Sequence, residues 1–421
     1  MGGPNLLPSD DGEIAECVGN SPGGPAHVLL SDSTAEHIPG CNMAFRKTWL
    51  EAAGGFDPRF RSAGDDVDVC WNLQARGGKL GFHPTAVVWH HRRSSLVRYW
   101  KQQVGYGKAE ALLAAKWPQK YNSAGHIPWS GRIYSRGLTL PLFAGSGRVY
   151  QGIWGSAPFQ SIYEPARGWL GSLPLLPEWY LLVALLGVLT GLGTLWPPLL
   201  FFAPWLALAA GSVLAQAVKS AGRARLDARP RSRLARARMR VLITVLHLLQ
   251  PAARLWGRLR HGLGPWRARG LSGWRLPRTR SLALWSERGK AHAGWLEEFE
   301  AALRSSRALV RRGSEFDRFD LVVAGGPLGA ARTLMAVEEH GMGRQCVRFR
   351  VWPKLRRGLS ATLLAGALAA SACVDGAWLA GAVLAAASLA LAAAALRECG
   401  CAQGVILRAL EGLGAAEAPH A

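Results

Sequence analysis

The stretch that decides the fold runs from His37 to Leu112. It reads IPGCNMAFR at 38–46, GGFD at 54–57, GDDVD at 64–68 and VVWH at 87–90. Glycine-marked turns, a carboxylate cluster and a downstream histidine follow one another along alternating predicted helices and strands. The pattern therefore predicts an α/β fold that carries polar residues at the ends of its elements.

The first predicted helix begins near Thr48 and stops at a glycine pair, Gly54 and Gly55. Glycine at such a position supplies the positive φ that ends a helix. The chain is expected to turn there and to lead towards the carboxylate cluster.

Three carboxylates, Asp65, Asp66 and Asp68, open a second predicted helix that extends from Val67 to Ala75. The helix dipole favours negative charge at this end. Aspartate is also a preferred capping residue, so capping alone would explain the cluster. The surrounding pattern favours a catalytic carboxylate, while Asp68 is expected to be a structural acid of the first turn.

A short strand from Phe82 to His90 is predicted next, and it delivers His90 to the strand end, where α/β sites lie. His91 is the neighbour that could be mistaken for it. A helix from Ser95 to Leu113 is predicted to follow. A histidine at a strand end is often purely structural, so its assignment depends on the surrounding motifs.

In order and spacing, these motifs resemble the acceptor-side half of an inverting family 2 glycosyltransferase of the GT-A, Rossmann-like type. The resemblance implies that Asp66 removes the proton from the acceptor hydroxyl as that oxygen attacks the anomeric carbon. Asp65 stands where the family usually has glutamate. The resemblance also implies that His90 helps to hold Mg²⁺ or Mn²⁺ on the diphosphate of the donor.

Contacts with substrate are predicted for Asn42, Arg46, Gln103 and Lys108. Related enzymes carry an arginine in a Gln-x-x-Arg motif on the helix that holds Gln103, whereas this chain has Val104. For Gln103 and Lys108, ordinary helix surface is the alternative interpretation.

A complete enzyme of this kind begins with nucleotide-binding strands and helices that end in an Asp-x-Asp motif. Here Asp10 and Asp11 have the wrong spacing and lie in a predicted loop. We therefore expect residues 1–125 to form an acceptor-side half, with the N-terminal nucleotide-binding half lacking and the chain truncated as given. The expected partners are a nucleotide-sugar donor and a glycan or lipid-linked acceptor.

Membrane contact is indicated by a hydrophobic content of 49% and by 18 tryptophans among 421 residues. Two transmembrane hairpins are predicted, at 177–218 and 358–397. Their four apolar runs are Trp179–Leu195, Leu199–Val218, Leu359–Cys373 and Ala377–Leu396, and the third is short for crossing about 30 Å of hydrocarbon. A buried helical hairpin of a soluble protein is the alternative for the alanine-rich second pair.

The positive charge is concentrated between Lys219 and Arg357, where 31 Lys and Arg face 10 Asp and Glu. Because Lys and Arg stay on the cytoplasmic side, this loop, the catalytic segment and both termini are predicted to be cytoplasmic in a multi-pass protein of the cell membrane. The basic segment 219–284 is predicted to lie against anionic lipid. Nucleic acid is a weaker alternative, because no recognisable nucleic-acid module accompanies the charge.

The remaining segments are an irregular linker at 126–176, a small cytoplasmic α/β insert at 285–352 and a C-terminal tail at 398–421. In the insert we predict a helix at 296–310, a strand at 319–324 and a second helix at 330–339. A glycine turn at 325–329 leads into that second helix, and a plain connection is favoured over a phosphate cradle.

The seven cysteines show no metal-ligand spacing and are expected to be free thiols. The sequence thus favours a membrane-anchored glycosyltransferase. The rival hypothesis is a non-catalytic membrane remnant or scaffold of a glycan-assembly system.

Overall fold

A computed structural model describes residues 1–61, 63–122, 125–134, 137, 151–152, 155–156, 173–226, 232–265, 273–306, 308–314 and 317–417. Most of the predicted linker 126–176 and the last four residues of the predicted tail lie outside these ranges. The chain divides into two compact units. One comprises 1–120, 126–193 and 198–263, and the other comprises 121–125, 194–197 and 264–421.

The described helices are α1 (Glu13–Gly19), α2 (Lys47–Ala52), α3 (Asp65–Ala75), α4 (Leu96–Lys116), α5 (Trp179–Leu192), α6 (Ala203–Gly222), α7 (Arg233–Arg260), α8 (His292–Ser305), α9 (Arg356–Val374) and α10 (Trp378–Gly412). The described strands are β1 (Asn5–Leu6), β2 (His27–Leu29), β3 (Thr34–His37), β4 (Leu80–Gly81), β5 (Val88–Trp89), β6 (Arg132–Tyr134), β7 (Gln151–Gly152), β8 (Gly155–Ser156), β9 (Arg280–Ser286), β10 (Val310–Arg312), β11 (Leu321–Ala324), β12 (Ala330–Glu339), β13 (Gln345–Lys354) and β14 (Ala416–Glu417). The chain is thus a mixed α/β protein, as predicted.

The first unit contains an antiparallel sheet in the order β4-β3-β2-β6, and β1 pairs in parallel with β5. The buried face of α3, including Val69, Cys70 and Leu73, packs with Ile38 against this sheet. The strand predicted over residues 82–90 is shorter than expected, because only Val88–Trp89 forms a ladder with β1, while Phe82 makes an isolated bridge to Gly2. The predicted linker also contributes a strand, β6, to the sheet.

Two predicted helix boundaries agree with the structure. Gly54 and Gly55 have φ values of 80° and 72°, so the predicted glycine stop after α2 is confirmed. Ser95 caps α4 by accepting a hydrogen bond from the backbone N–H of Arg98. Both are local signals that need no distant partner.

Helix α7 crosses α4 with backbone in direct contact. A Cβ on Gly107 would lie 2.2 Å from the carbonyl oxygen of Arg254, and one on Gly257 would lie 2.2 Å from that of Val104. Only glycine permits this approach. Arg258 is buried beside the crossing, with its guanidinium 2.9 Å from Glu178 and 3.3 Å from Glu110.

The helix α7 has two different faces. Met239, Ile243 and Leu246 are buried on the side that packs within the first unit. On the opposite side, Leu234 and Val241 are exposed. One face of α7, within the segment predicted to lie against lipid, therefore packs against protein. The opposite, exposed face is the part available to a membrane surface.

Three described helices are long and apolar enough to cross a membrane, namely Pro197–Gly222, Arg356–Val374 and Trp378–Gly412. The predicted first span corresponds to α5, which has only 14 residues. The predicted third span, expected to be the short one, is 19 residues long. The helices indicate membrane association, and the weakest of the four runs is the first.

The second unit contains a six-stranded antiparallel sheet in the order β10-β11-β12-β13-β9-β14. Its core joins α8 to the C-terminal half of α10, where Val405, Ile406 and Leu410 are buried. The segment 330–339 is strand β12, so the predicted helix there is wrong. Its alternating side chains, with Ala331, Thr333 and Met335 buried, pack on one face of the sheet.

The backbone N–H groups of the glycine turn at 325–329 are bonded by a side chain of the protein itself. A carboxylate oxygen of Glu398 accepts hydrogen bonds from the backbone N–H groups of Leu328 and Gly329, both at 2.7 Å. These amides are therefore already paired, which agrees with the preference for a plain connection over a phosphate cradle.

The crossing of α4 and α7 generates a stability prediction. Gly107→Ala should lower the free energy of unfolding by about 1–3 kcal/mol, because the added methyl group overlaps a backbone carbonyl. The measurement is thermal unfolding of the purified chain in detergent.

Gly211→Ala is the matched control, because it is also a helical glycine but has open space around the new Cβ. It should leave stability unchanged or raise it by about 0.5–1 kcal/mol. Equal melting temperatures for the two variants would contradict the close crossing.

Candidate active site

Asp66 lies in the first turn of α3, and two separate parts of the chain hold its carboxylate. Oδ2 accepts a hydrogen bond of 3.0 Å from the backbone N–H of Gly40, and Oδ1 accepts one of 2.8 Å from that of Val67. Gly64, with φ of 85°, precedes the helix and sets its direction. Gly40 of the IPG motif and Asp66 of the GDD motif, 26 residues apart in sequence, therefore meet at one carboxylate.

Burial raises the pKa of Asp66, and the hydrogen bonds from Gly40 and Val67 offset only part of this effect. The pKa of Asp65 is raised as well, by burial and by the charge of Asp66. A carboxylate with a raised pKa is a stronger base. Asp66 thus has the protonation chemistry that a general base needs.

His37 lies beside Asp66 and is a site residue that sequence reasoning missed. Its Nε2 is 4.0 Å from Oδ2 of Asp66, and its ring stacks on Trp129 with centroids 5.6 Å apart. Burial lowers the pKa of His37 to about 4, so the ring is neutral at neutral pH. It does not neutralise the Asp66 charge, and its position at the end of β3 carries no sequence signal that identifies it.

Tyr106 of α4 is a second neighbour. Burial and then the charge of Asp66 raise the pKa of its phenol, so the hydroxyl keeps its proton at neutral pH. The helix prediction placed Tyr106 on α4 but did not relate it to Asp66.

Asp68 has a structural role, in agreement with the prediction. Its buried carboxylate accepts a hydrogen bond of 2.8 Å from Nζ of Lys116 and one of 2.7 Å from Nε1 of Trp117. Lys116 also bridges to Asp57 at 2.8 Å. Asp68 therefore anchors α3 to the end of α4 and is not open to substrate.

The histidines after β5 make different contacts. His91 pairs with Asp11, whose carboxylate lies 2.5 Å from Nδ1 of the ring. Nδ1 of His90 lies 2.6 Å from the guanidinium of Arg92, which also donates to Asn5. Burial and the charge of Arg92 lower the pKa of His90, so its ring is neutral.

This environment does not fit His90 as a metal ligand. Because Arg92 can only donate, Nδ1 of His90 is an acceptor, and Nε2 carries the proton of the neutral ring. Among the described residues, the group that meets the geometry for a metal site lies in the second unit, and it does not include His90 or Asp66.

The other predicted contact residues differ in accessibility. Lys108 and Arg46 are exposed, whereas Gln103 is fully buried against Gly23. The amide of Asn42 donates to the carbonyl oxygens of Pro4 at 3.0 Å and Ala86 at 2.6 Å. Asn42 and Gln103 thus hold neighbouring segments of chain together, and the predicted substrate contacts of all four remain predictions.

The segment that contains both Asp66 and His90 matches a known protein family. A family model described as "Glycosyltransferase like family 2" matches residues 27–104. The matched segment is of the family 2 glycosyltransferase type, and glycosyltransferases are a class of transferases. The match confirms the resemblance inferred from the motifs.

Two curated relatives extend the comparison. Both are named "Pre-mycofactocin glycosyltransferase", from Mycobacterium tuberculosis strains CDC 1551 / Oshkosh and ATCC 25618 / H37Rv. Each is 35% identical over 121 residues, which is 29% of this chain and 25% of the relative. The chain therefore spans about a quarter of the length of these relatives. No solved structure matches it.

The ion pair between Asp68 and Lys116 leads to a prediction about protein stability, which tests the structural role of Asp68. Lys116→Met should lower the free energy of unfolding by about 1–3 kcal/mol, because it leaves the buried Asp68 without its cation. Lys47→Met is the control, since Lys47 forms an exposed pair with Glu51 at 3.7 Å. Its effect should be about 0.5 kcal/mol or less.

Chemical denaturation followed by tryptophan fluorescence measures both variants. If Lys116→Met and Lys47→Met had equal effects, Asp68 would not depend on Lys116 for its charge.

Proposed function

We propose that this protein transfers a sugar from a nucleotide-diphosphate donor to an acceptor hydroxyl with inversion at the anomeric carbon. The observation that carries the proposal is the Asp66 carboxylate, held by Gly40 and Val67 at the start of α3 in a segment of the family 2 type. The acceptor class is a glycan or a lipid-linked hydroxyl compound, because the segment accompanies helices that suit a membrane.

In this mechanism Asp66 takes the proton of the acceptor hydroxyl as the oxygen attacks the anomeric carbon. The bond to the diphosphate breaks on the opposite face, which inverts the configuration, and the diphosphate leaves with its negative charge. Gly40 N–H and Val67 N–H fix the carboxylate so that it need not reorganise during proton transfer. Burial and the charge of Asp66 raise the pKa of the Tyr106 hydroxyl, which therefore keeps its proton during the reaction.

A Mg²⁺ or Mn²⁺ ion on the donor diphosphate remains part of the proposal, because such an ion stabilises a departing phosphate. No residue described here is assigned as its ligand, since the contacts of His90 do not fit that role. None of the steps attributed to Asp66 depends on the ion.

The alternative is a membrane scaffold that keeps the acceptor-side segment without catalysis. Turnover by the full chain decides between a glycosyltransferase and a scaffold, because a scaffold would not catalyse sugar transfer.

We further propose that the chain is a multi-pass protein whose sugar-transfer segment faces the cytoplasm. Helices α4 and α7 touch through their backbones, which supports placing residues 96–116 and 233–260 on one side of the membrane. The intervening chain then crosses an even number of times, which pairs the 14-residue α5 with the following apolar helix. Trp179 of α5 donates to the carbonyl of Ala209, as expected of such a pair.

The same reasoning applies to the second unit. Strands β13 and β14 belong to one sheet but flank α9 and α10 in sequence, so this hairpin also returns to its starting side. The concentration of Lys and Arg between the two hairpins supports the cytoplasm as that side.

The base is tested with Asp66→Asn in membranes that contain the full chain. Release of nucleoside diphosphate from a panel of nucleotide sugars, in the presence of a membrane extract as acceptor source, measures turnover. We expect a loss of about 10²–10⁴-fold, the range for a positioned general base. Asp65→Asn is the matched control and should lose less.

The pH profile adds a second readout. The base works only when ionised, so turnover should fall as the pH drops through the pKa of Asp66, which burial places above its ordinary value of 3.8. Wild-type turnover that survives in Asp66→Asn would remove Asp66 from the mechanism. No turnover by wild type with any donor would favour the scaffold.

The topology is tested by labelling introduced cysteines with a membrane-impermeant maleimide. Thr194→Cys, in the exposed turn after α5, should be labelled in intact cells, and Lys101→Cys, at an exposed position of α4, only after lysis. The wild-type chain gives the background from the native thiols. Labelling of Lys101→Cys in intact cells would reverse the orientation.

A further inference from the structure

The hairpin of β12 and β13 brings together three side chains of different chemistry. Glu338, His340 and Cys346 each offer one ligand atom, and these atoms lie within 4.8 Å of one another. Glu338 and Cys346 are direct cross-strand partners, and His340 follows two residues after Glu338 at the turn. We propose that this cluster binds a Zn²⁺ ion.

The position of the ligands follows from the sheet. Core residues Val337 and Val347 lie on the covered face, so their neighbours Glu338 and Cys346 project from the opposite face. The turn at 341–344 is tight, with positive φ at Gly341, Met342 and Gly343. It returns the chain within six residues, which places Cys346 beside Glu338.

The base of the hairpin is fixed from its other face. The side chain of Gln345 is buried and bonds to the backbone of Lys290, to Nε1 of Trp295 and to the carboxylate of Glu339. Its neighbour Cys346 is thereby held in register with Glu338. A ligand set on such a scaffold has less conformational freedom to lose when it binds.

The carboxylate of Glu338 is already oriented. Arg348 donates from Nε to Oε1 at 2.7 Å, and Oε2 lies 3.8 Å from Nε2 of His340. That second gap is too long for a hydrogen bond. Two ligands about 2.0–2.2 Å from a tetrahedral ion are roughly 3.3–3.6 Å apart, so a small inward movement seats an ion between them.

The ring of His340 is also supported. It packs against Trp285 with centroids 5.0 Å apart, and Trp285 is the cross-strand neighbour of Cys346. Glutamate and cysteine thus lie on two adjacent strands with histidine at their turn, and Trp285 flanks them on the third strand. The orientation of a ligating ring by its neighbours is what a metal site requires.

The chemistry of the set favours Zn²⁺ over hard cations. A thiolate and an imidazole suit zinc, whereas Mg²⁺ and Ca²⁺ take oxygen ligands. Binding releases the Cys346 thiol proton to solvent, and the two anionic ligands then balance the charge of the ion. This neutrality matters because the guanidinium of Arg348 contacts Glu338. Three protein ligands leave the fourth position to water.

The sequence did not reveal this cluster. Cysteine spacing alone shows no metal pattern, because the other two ligands are Glu338 and His340 on the opposite arm of a hairpin. Residues 330–339 were also predicted to be a helix, which would not pair Glu338 with Cys346 across a hairpin. The inference is independent of the proposed sugar transfer.

The test is a Co²⁺ titration of the purified, untagged full chain after metal removal, followed by absorption spectroscopy. We expect one Co²⁺ per chain, with a near-ultraviolet thiolate-to-metal charge-transfer band and visible bands of tetrahedral type, all displaced by Zn²⁺. Cys346→Ser should abolish the charge-transfer band. Cys401→Ser, which removes another partly buried thiol, should retain it.

A second pair of variants guards against misfolding. His340→Ala, at an exposed turn position, should weaken Zn²⁺ binding by at least about 10-fold in competition titrations. His292→Ala, an exposed histidine elsewhere in the same unit, should bind as wild type does. A charge-transfer band that persists in Cys346→Ser, or no band in the wild type, would overturn the proposal.

Discussion

The contact between Gly107 on α4 and Gly257 on α7 is the constraint on which the first unit depends. The two helices approach so closely that any side chain at either glycine would overlap a carbonyl oxygen of the other helix. The charges beside the crossing follow from it. Arg258 is buried there and needs both Glu110 and Glu178, because an unpaired guanidinium in this position would be strongly unfavourable. Through Glu178 the same cluster reaches the start of α5, so acceptor-side and membrane-associated segments are parts of one packed body.

The three aspartates at the start of α3 show how environment divides one residue type into separate roles. Asp68 faces inward and is neutralised by Lys116, whereas the Asp66 carboxylate is held by two backbone N–H groups. Asp65 lies beside it without the bond from Gly40. A cation neutralises charge and lowers basicity, while amide donors orient a carboxylate and leave it available for proton transfer. The difference between a structural and a chemical carboxylate therefore lies in its donors.

Local signals in the sequence were sufficient for the elements around the site. The glycine pair at 54–55, the helix that follows Gly64 and the Ser95 cap all act within a few residues, and each agrees with the structure. The contacts that complete the site join distant residues. Gly40 meets Asp66 across the sheet, and His37 reaches the site because β3 ends beside α3, which no short-range pattern encodes.

The errors have physical causes too. Segment 330–339 contains good helix formers, but its alternating buried residues match a strand once β13 supplies the hydrogen bonds. Hydropathy located the apolar runs, yet it did not show that α5 ends after 14 residues, because the helix terminates before the Trp196-Pro197-Pro198 turn. The tail was predicted to be separate, whereas residues 398–412 complete the core of the second sheet. In each case the missing information was the identity of the packing partner.

Helix α10 is continuous for 35 residues, with an exposed apolar first half and a second half buried in the sheet core. At 1.5 Å per residue it is about 50 Å long. Because α10 has no break, its two halves move together as a rigid body. Any tilt of the apolar half in a bilayer must therefore turn the sheet attached to the other half. The thickness of the hydrocarbon layer influences the tilt of a spanning helix. A change in that thickness would therefore change the orientation of the sheet attached to α10. The depth at which that sheet sits relative to the lipid surface would then be fixed by the length of α10 and not by a flexible linker.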